Sequence, residues 1–244
     1  MSGFKNPLII ALDVDTTSEA VKLADRLGPY AGGFKVGMQL FYGAGPEAVR
    51  RLREKKVPVF VDLKLHDIPN TVSGAARALT RLGASILNVH AAGGREMMRA
   101  AADAVRDEAA KCGLSRPLVV AVTVLTSIDE KVFRDQLGMP GPVRDRVAAW
   151  SRLAGESGLD GVVASPREIP AVREACGSGF VIITPGVRPA GSAAGDQKRT
   201  MIPGEAAELG ADYLVVGRPV TAAPDPVAAA RSILDEINFN TSPL

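Results

Sequence analysis

Cysteine is nearly missing from the 244 residues: Cys112 and Cys176 are the two, far apart and in no metal-ligand spacing. That leaves no disulfide framework to read and fits a reducing compartment. Excess charge of either sign is missing too, since 29 basic residues face 27 acidic ones for a net charge of +2. The balance offers no electrostatic footprint for nucleic acid or an anionic membrane surface, so any anion must be bound locally. The opening MSGFKNP has no basic region followed by a long apolar run, which argues against a signal peptide. No apolar run approaches the ~20 residues of a membrane span. No low-complexity segment or compositional break marks a linker. The chain is 46% hydrophobic, enough to bury a large core. The expectation is a soluble, cytoplasmic protein folded as one domain over residues 1–244.

Against this background stands Val59 to Thr71 (VFVDLKLHDIPNT). Its first half is short, apolar and β-branched, the signature of a buried strand, and turn chemistry follows. Side chains two apart on a strand share a face, which sets Asp62 beside Lys64. Asp67 lies in the exit turn, ahead of a helix beginning near Thr71. The spacing Asp-x-Lys-x-x-Asp predicts one ammonium held between two carboxylates. Unit charges ~4 Å apart at an effective dielectric of ~20 interact by about 4 kcal/mol, so flanking acids should keep Lys64 protonated. Lys64 then reads as a proton donor. A Schiff-base lysine needs the reverse setting, desolvated or beside another cation. An ordinary ion pair at a strand end is the other reading of these residues.

Along the chain a strand-then-helix grammar repeats. Leu8 to Asp13 is an apolar run ending in an acid, and Thr16 with Glu19 offers a capping box ahead of a helix that Gly28-Pro29 stops. Further strands are predicted at Gly33 to Gly37, Val59 to Leu65, Ser85 to His90, Leu118 to Val124, Gly161 to Ala164, Phe180 to Ile183 and Tyr213 to Gly217. Helices are predicted at Pro46 to Lys56, Thr71 to Leu82, Arg95 to Lys111, Val143 to Ser157, after Ser165-Pro166, at Pro203 to Leu209 and from Asp225-Pro226 onward. Alternating units with short buried strands predict an α/β protein with a parallel sheet. Eight of them at this length predict a closed (β/α)8 TIM barrel. A doubly wound open sheet is the runner-up.

A barrel collects functional groups where strands end and βα loops begin. Asp13 ends the first strand, Lys35 lies on the second, Asp62 and Lys64 end the third and His90 the fourth. Thr123 and Thr126 follow the fifth, Ser165 the sixth, Arg188 the seventh, and Gly217 with Arg218 the eighth. Asp13 and Lys35 are charges at otherwise apolar positions, which favours function over a surface ion pair. His90 reads as a packed, hydrogen-bonded histidine, His66 as an exposed loop residue, Ser165 as a helix N-cap and Trp150 as core. The loop Thr184 to Arg199 is small and basic at both ends, and the loops after strands seven and eight are the usual phosphate site of a barrel. Gly217 would let a phosphate approach the backbone while Arg218 offers a charged fork. A mobile lid over the phosphate is expected; an unstructured surface loop is the alternative for Ser192 to Gly195.

These motifs together resemble the orotidine 5'-phosphate decarboxylase family nearly end to end. The matching stretches are Ala11-Leu12-Asp13, Lys35-Val36-Gly37, Asp62 through Thr71, Asn88-Val89-His90-Ala91, Val122 through Ser127, Thr184 through Pro189, Gly195-Asp196-Gln197 and Gly217 through Thr221. The resemblance implies decarboxylation of orotidine 5'-phosphate to UMP in pyrimidine biosynthesis, with no metal and no cofactor. It implies that Lys64 is the proton donor, Asp62 lies beside the scissile carboxylate, and Lys35 and Asp67 complete a charged array. It further implies a homodimer in which Asp67 and Thr71 reach the partner's site. Asp13 and Lys35 match ribose contacts and Thr126 a pyrimidine contact, while Arg188, Gln197, Gly217 and Arg218 match the phosphate end.

Three rivals remain at this point. Magnesium-dependent barrel enzymes acting on sugar phosphates share Asp-x-Lys-x-x-Asp but place an acid where this chain has Lys35, because the metal needs oxygen ligands. A Schiff-base aldolase would use Lys64 as a free amine, against its acidic neighbours. A non-catalytic phosphate-binding barrel has no positive feature in its favour.

Overall fold

A computed structural model describes residues 4–189 and 199–240. Eight strands are present: β1 (Leu8–Ala11), β2 (Gly33–Gly37), β3 (Val59–Leu65), β4 (Ile86–His90), β5 (Leu118–Val122), β6 (Gly161–Val163), β7 (Val181–Pro185) and β8 (Tyr213–Val216). They pair in sequence order, all parallel, and β8 returns to β1 to close a (β/α)8 TIM barrel. The open-sheet alternative is thereby removed. The helices are α1 (Thr17–Leu27), α2 (Met38–Ala44), α3 (Glu47–Glu54), α4 (Pro69–Leu82), α5 (Gly94–Cys112), α6 (Glu130–Asp135), α7 (Val143–Glu156), α8 (Ile169–Cys176), α9 (Pro203–Glu208), α10 (Arg218–Thr221) and α11 (Pro226–Asn240).

Strand alternation builds two cores. Leu8, Ile10, Phe34, Val36, Val59, Val61, Leu87 and Val89 face outward and pack under the helices. Ile9, Ala11, Phe60, Ile86, Val120, Ile183 and Val215 face inward and fill the barrel. Burying both faces is what makes the strands read as continuous apolar runs rather than alternating ones. Phe60 is 1% exposed, and truncating such a ring to Ala costs about 3–5 kcal/mol. The filled interior supports the strand ends from below, so the polar residues after each strand sit on a rigid floor.

Local sequence explains most boundaries. The Thr16 hydroxyl accepts from the Glu19 N–H while the Glu19 carboxylate accepts from the Thr16 N–H, the expected capping box of α1. Helix α4 begins at Pro69, two residues before the expected start, because proline supplies the preset φ of a first turn and has no N–H to leave unpaired. Ser165 does cap, but the turn it caps is a short 3-10 helix, Pro166–Glu168, ahead of α8. No helix among the described residues is long and apolar enough to cross a membrane.

Candidate active site

The C-terminal ends of the strands enclose a cavity of ≈ 300 Å³. Asp13, Lys35, Asp62, Lys64, Thr126, Arg188, Gly217 and Arg218, all singled out from the sequence, line it. Asp67, in the turn after β3, and Thr71, in the first turn of α4, are exposed and outside that lining, and Gln197 lies outside the described residues.

Four charged side chains form an alternating row. Lys35 Nζ lies 3.1 Å from Asp13 Oδ1 and 3.5 Å from Asp62 Oδ2, and Lys64 Nζ lies 2.6 Å from Asp62 Oδ1. The ammonium set between two carboxylates of one chain is therefore that of Lys35. The Asp67 carboxylate instead accepts from the Ile68 N–H at 2.7 Å, because the chain turns sharply at the end of β3. Lys64 takes a left-handed conformation, φ 52°, and the register of β3 on β4 shifts between Val61 and Leu65. A non-glycine residue held there stores strain of order 1–3 kcal/mol. The conformation re-aims the lysine over the barrel mouth, as bulges near active sites do.

Asn88, on β4 and 1% exposed, holds this turn in place. Its Oδ1 accepts from the Lys64 backbone N–H at 2.8 Å and its Nδ2 donates to Asp62 Oδ1 at 2.7 Å. Sequence reasoning quoted Asn88 inside a motif without giving it a role. Its inward direction follows from alternation along β4; its partners depend on the neighbouring strand. Gly37 leaves room for the row, since a Cβ there would sit 2.7 Å from Lys35 Nζ and the ammonium would have to shift.

Burial alone would raise the Asp62 pKa. The charges of Lys35 and Lys64 and hydrogen bonds from Lys64 and Asn88 outweigh it and hold the carboxyl below its ordinary value. Asp62 is thus ionised in a nearly dry setting, and Lys64, with three donors, has hydrogens to spare toward the cavity. Behind it, His90 stacks on His66 at 5.2 Å and meets the Trp150 ring edge-on at 6.2 Å. Its Nδ1 accepts from the Ala92 N–H. Burial, His66 and Lys64 lower the His90 pKa, so it is a neutral packing residue.

The remaining walls come from the exits of β5, β6, β7 and β8. Thr123 Oγ1 donates to the Val163 carbonyl at 2.9 Å and fixes the β5 exit against β6, setting Val124 to Ser127 along one side. Pro185 to Arg188 at the end of β7 and Gly217 with Arg218 at the end of β8 also line the cavity. The site is therefore a slot with a row of charges from β1 to β3, an uncharged stretch after β5 and two arginines after β7 and β8. Among the described residues no group of three or more His, Cys, Asp or Glu is disposed to hold a metal ion.

Comparison with known proteins places the chain in a family. Residues 6–233 match the family model described as Orotidine 5'-phosphate decarboxylase / HUMPS family. The chain is 62% identical over 235 residues to an orotidine 5'-phosphate decarboxylase of Moorella thermoacetica, covering 96% of this chain and 93% of the relative. It is 50% identical to one from Syntrophomonas wolfei, covering 94% and 97%. A crystal structure of orotidine 5'-phosphate decarboxylase from Lactobacillus acidophilus superposes with a TM-score of 0.84 at 40% identity, covering 96% and 100%.

Proposed function

The chain belongs to the orotidine 5'-phosphate decarboxylase / HUMPS family and is a decarboxylase, and from that premise we propose that it converts orotidine 5'-phosphate to UMP and CO2 for pyrimidine biosynthesis. The proposal includes a metal- and cofactor-free reaction, a single barrel domain, a cytoplasmic location and a homodimer. One observation carries it: the row Asp13, Lys35, Asp62, Lys64 lining the slot, ending in an ammonium that faces the cavity.

Loss of CO2 from C6 leaves an electron pair that the pyrimidine ring delocalises poorly, so the site must stabilise it electrostatically. Lys64 stands where that charge develops and delivers its proton to C6, so one group both attracts the carbanion and quenches it. Asp62, ionised and little exposed, repels the substrate carboxylate before the bond breaks and is relieved when CO2 departs. Lys35 limits that repulsion and, with Asp13, binds the ribose. Thr126 meets the pyrimidine. Arg188, Gln197, Gly217 and Arg218 take the phosphate, whose remote binding energy offsets the cost of seating an anion beside acids.

The position of Lys35 supports the metal-free form, since its ammonium occupies the gap between two carboxylates in which a cation would otherwise be held. For the dimer, support comes from Asp67 and Thr71 lying outside the lining of their own cavity, with Ile68, which stands between them in the chain, 66% exposed. A second copy on this face would cover Ile68 and receive both polar residues. The reading is tested by following the absorbance of orotidine 5'-phosphate with excess EDTA present. Full turnover is expected, and Lys64→Ala should abolish it while still binding UMP. Turnover surviving in Lys64→Ala would remove the proton-donor role.

A further inference from the structure

Away from the charged row, Arg199 and Glu168 form an ion pair in which each residue is 6% exposed. Arg199 Nη1 donates to Glu168 Oε1 at 2.5 Å, and Nη2 donates to the carbonyls of Val124 and Leu125 at 3.0 Å each. The Arg199 carbonyl in turn accepts from Ser165 Oγ at 3.5 Å. These partners belong to different strand exits. Val124 and Leu125 lead directly into Thr126 after β5, whereas Ser165 and Glu168 leave β6. Arg199 is on the returning limb of the loop that leaves β7 with Arg188. Two residues further on, Met201 is stitched to the outgoing limb: the Arg188 N–H donates to the Met201 carbonyl at 2.9 Å, and the Met201 N–H donates to the Gly186 carbonyl at 3.4 Å.

Stability is a poor reason for such a pair, because desolvating both charges cancels much of their attraction and apolar residues of similar volume serve as well. Orientation is a better one. A planar guanidinium presents donors in a fixed fork and can hold a carboxylate and two consecutive peptide carbonyls at once. An apolar filler would leave both peptide groups free to tilt, and Thr126 with them.

We infer that Arg199, held by Glu168, is a positioning residue that couples the β7 loop to the β5 exit, so that occupation of the phosphate end sets the placement of Thr126 at the pyrimidine end. This rests on the decarboxylase reading above. Arg199→Lys keeps a cation for Glu168 but, as a single point donor, does not span both carbonyls. Its melting temperature, kcat and KM for orotidine 5'-phosphate are measured alone and combined with Thr126→Ala. The expected result is a folded protein melting close to the unaltered chain, with kcat/KM lowered about tenfold. The double variant should be about as impaired as the worse single variant, since both changes break one coupling. Losses that multiply would overturn the inference, as would a lowered melting temperature with unchanged kcat and KM. Should Arg199→Lys not fold, Glu168→Gln takes its place with the same expected and overturning results. Failure of the unaltered chain to release CO2 from orotidine 5'-phosphate would instead sink the functional reading, independently of the coupling.

Discussion

Asn88 uses both ends of its amide, one to brace Asp62 and one to hold the strained peptide of Lys64. Asn88→Ala would strand the Lys64 N–H and remove a donor from a buried carboxylate. Each such loss costs about 1–3 kcal/mol. Urea unfolding should show a drop of that order, and steady-state kinetics with orotidine 5'-phosphate should show kcat falling about tenfold or more as Lys64 loses its aim. An unaltered kcat would mean that the turn holds itself. Asp62 makes a second prediction. Its pKa is depressed on folding from an ordinary 3.8, so below that value the unfolded chain takes up a proton that the folded chain resists. The stabilisation is complete above the unfolded pKa and is lost as pH falls toward the lower folded one. Thermal melts between neutral pH and about pH 3 should therefore decline more steeply for the unaltered chain than for Asp62→Asn. Parallel declines would show that the two ammonium groups do not outweigh burial. The ionisable members of this row were legible in the sequence because charges at apolar strand positions stand out. Asn88 was not, since its partners are reached across a strand pairing that no local spacing encodes.

The strands were legible as elements because both faces are buried and apolar, and α1 because its cap is written in adjacent residues. What escaped was short or strained. Helix α2 follows β2 without a loop, and its seven residues span about two turns, too few for a 3.6-residue period to emerge. The bulge at Lys64 depends on how β4 sits against β3, so even alternation alone set Lys64 beside Asp62 for an incomplete reason. The exit of β8 allows a cleaner test. A Cβ built on Gly217 would lie 3.4 Å from Asp13 Oδ2 and 3.5 Å from the Ala11 side chain, ordinary contact distances, so space alone does not demand glycine there. If Gly217 serves to admit a phosphate to the backbone, Gly217→Ala should raise KM for orotidine 5'-phosphate about tenfold or more, whatever its effect on melting. A lowered melting temperature with unchanged KM would assign the glycine to folding and vacate the phosphate role.

By the proposed decarboxylase reading, a cavity that holds Lys64 but not Asp67 lacks one member of its charged array, which a second chain would have to supply. If two copies exchange Asp67 and Thr71 across a twofold axis, each site draws on both chains, and defects placed on different chains can be segregated into one site of a mixed dimer. Lys64→Ala and Asp67→Asn homodimers should each be inactive or nearly so. Dissociated, mixed in equal amounts and reassociated, they form mixed dimers for half of the population. In each of these, one site carries both defects and the other neither, so activity should return to about a quarter of that of the unaltered protein. Sedimentation run alongside establishes that chains have exchanged. Exchanged dimers without recovered turnover would place Asp67 back in its own chain's chemistry or outside it altogether. Ile68→Lys adds an independent arm: a charge at this 66% exposed position should cost the isolated barrel little. It should nevertheless dissociate the pair and extinguish turnover together, because burying that ammonium in a shared interface without a partner is strongly unfavourable.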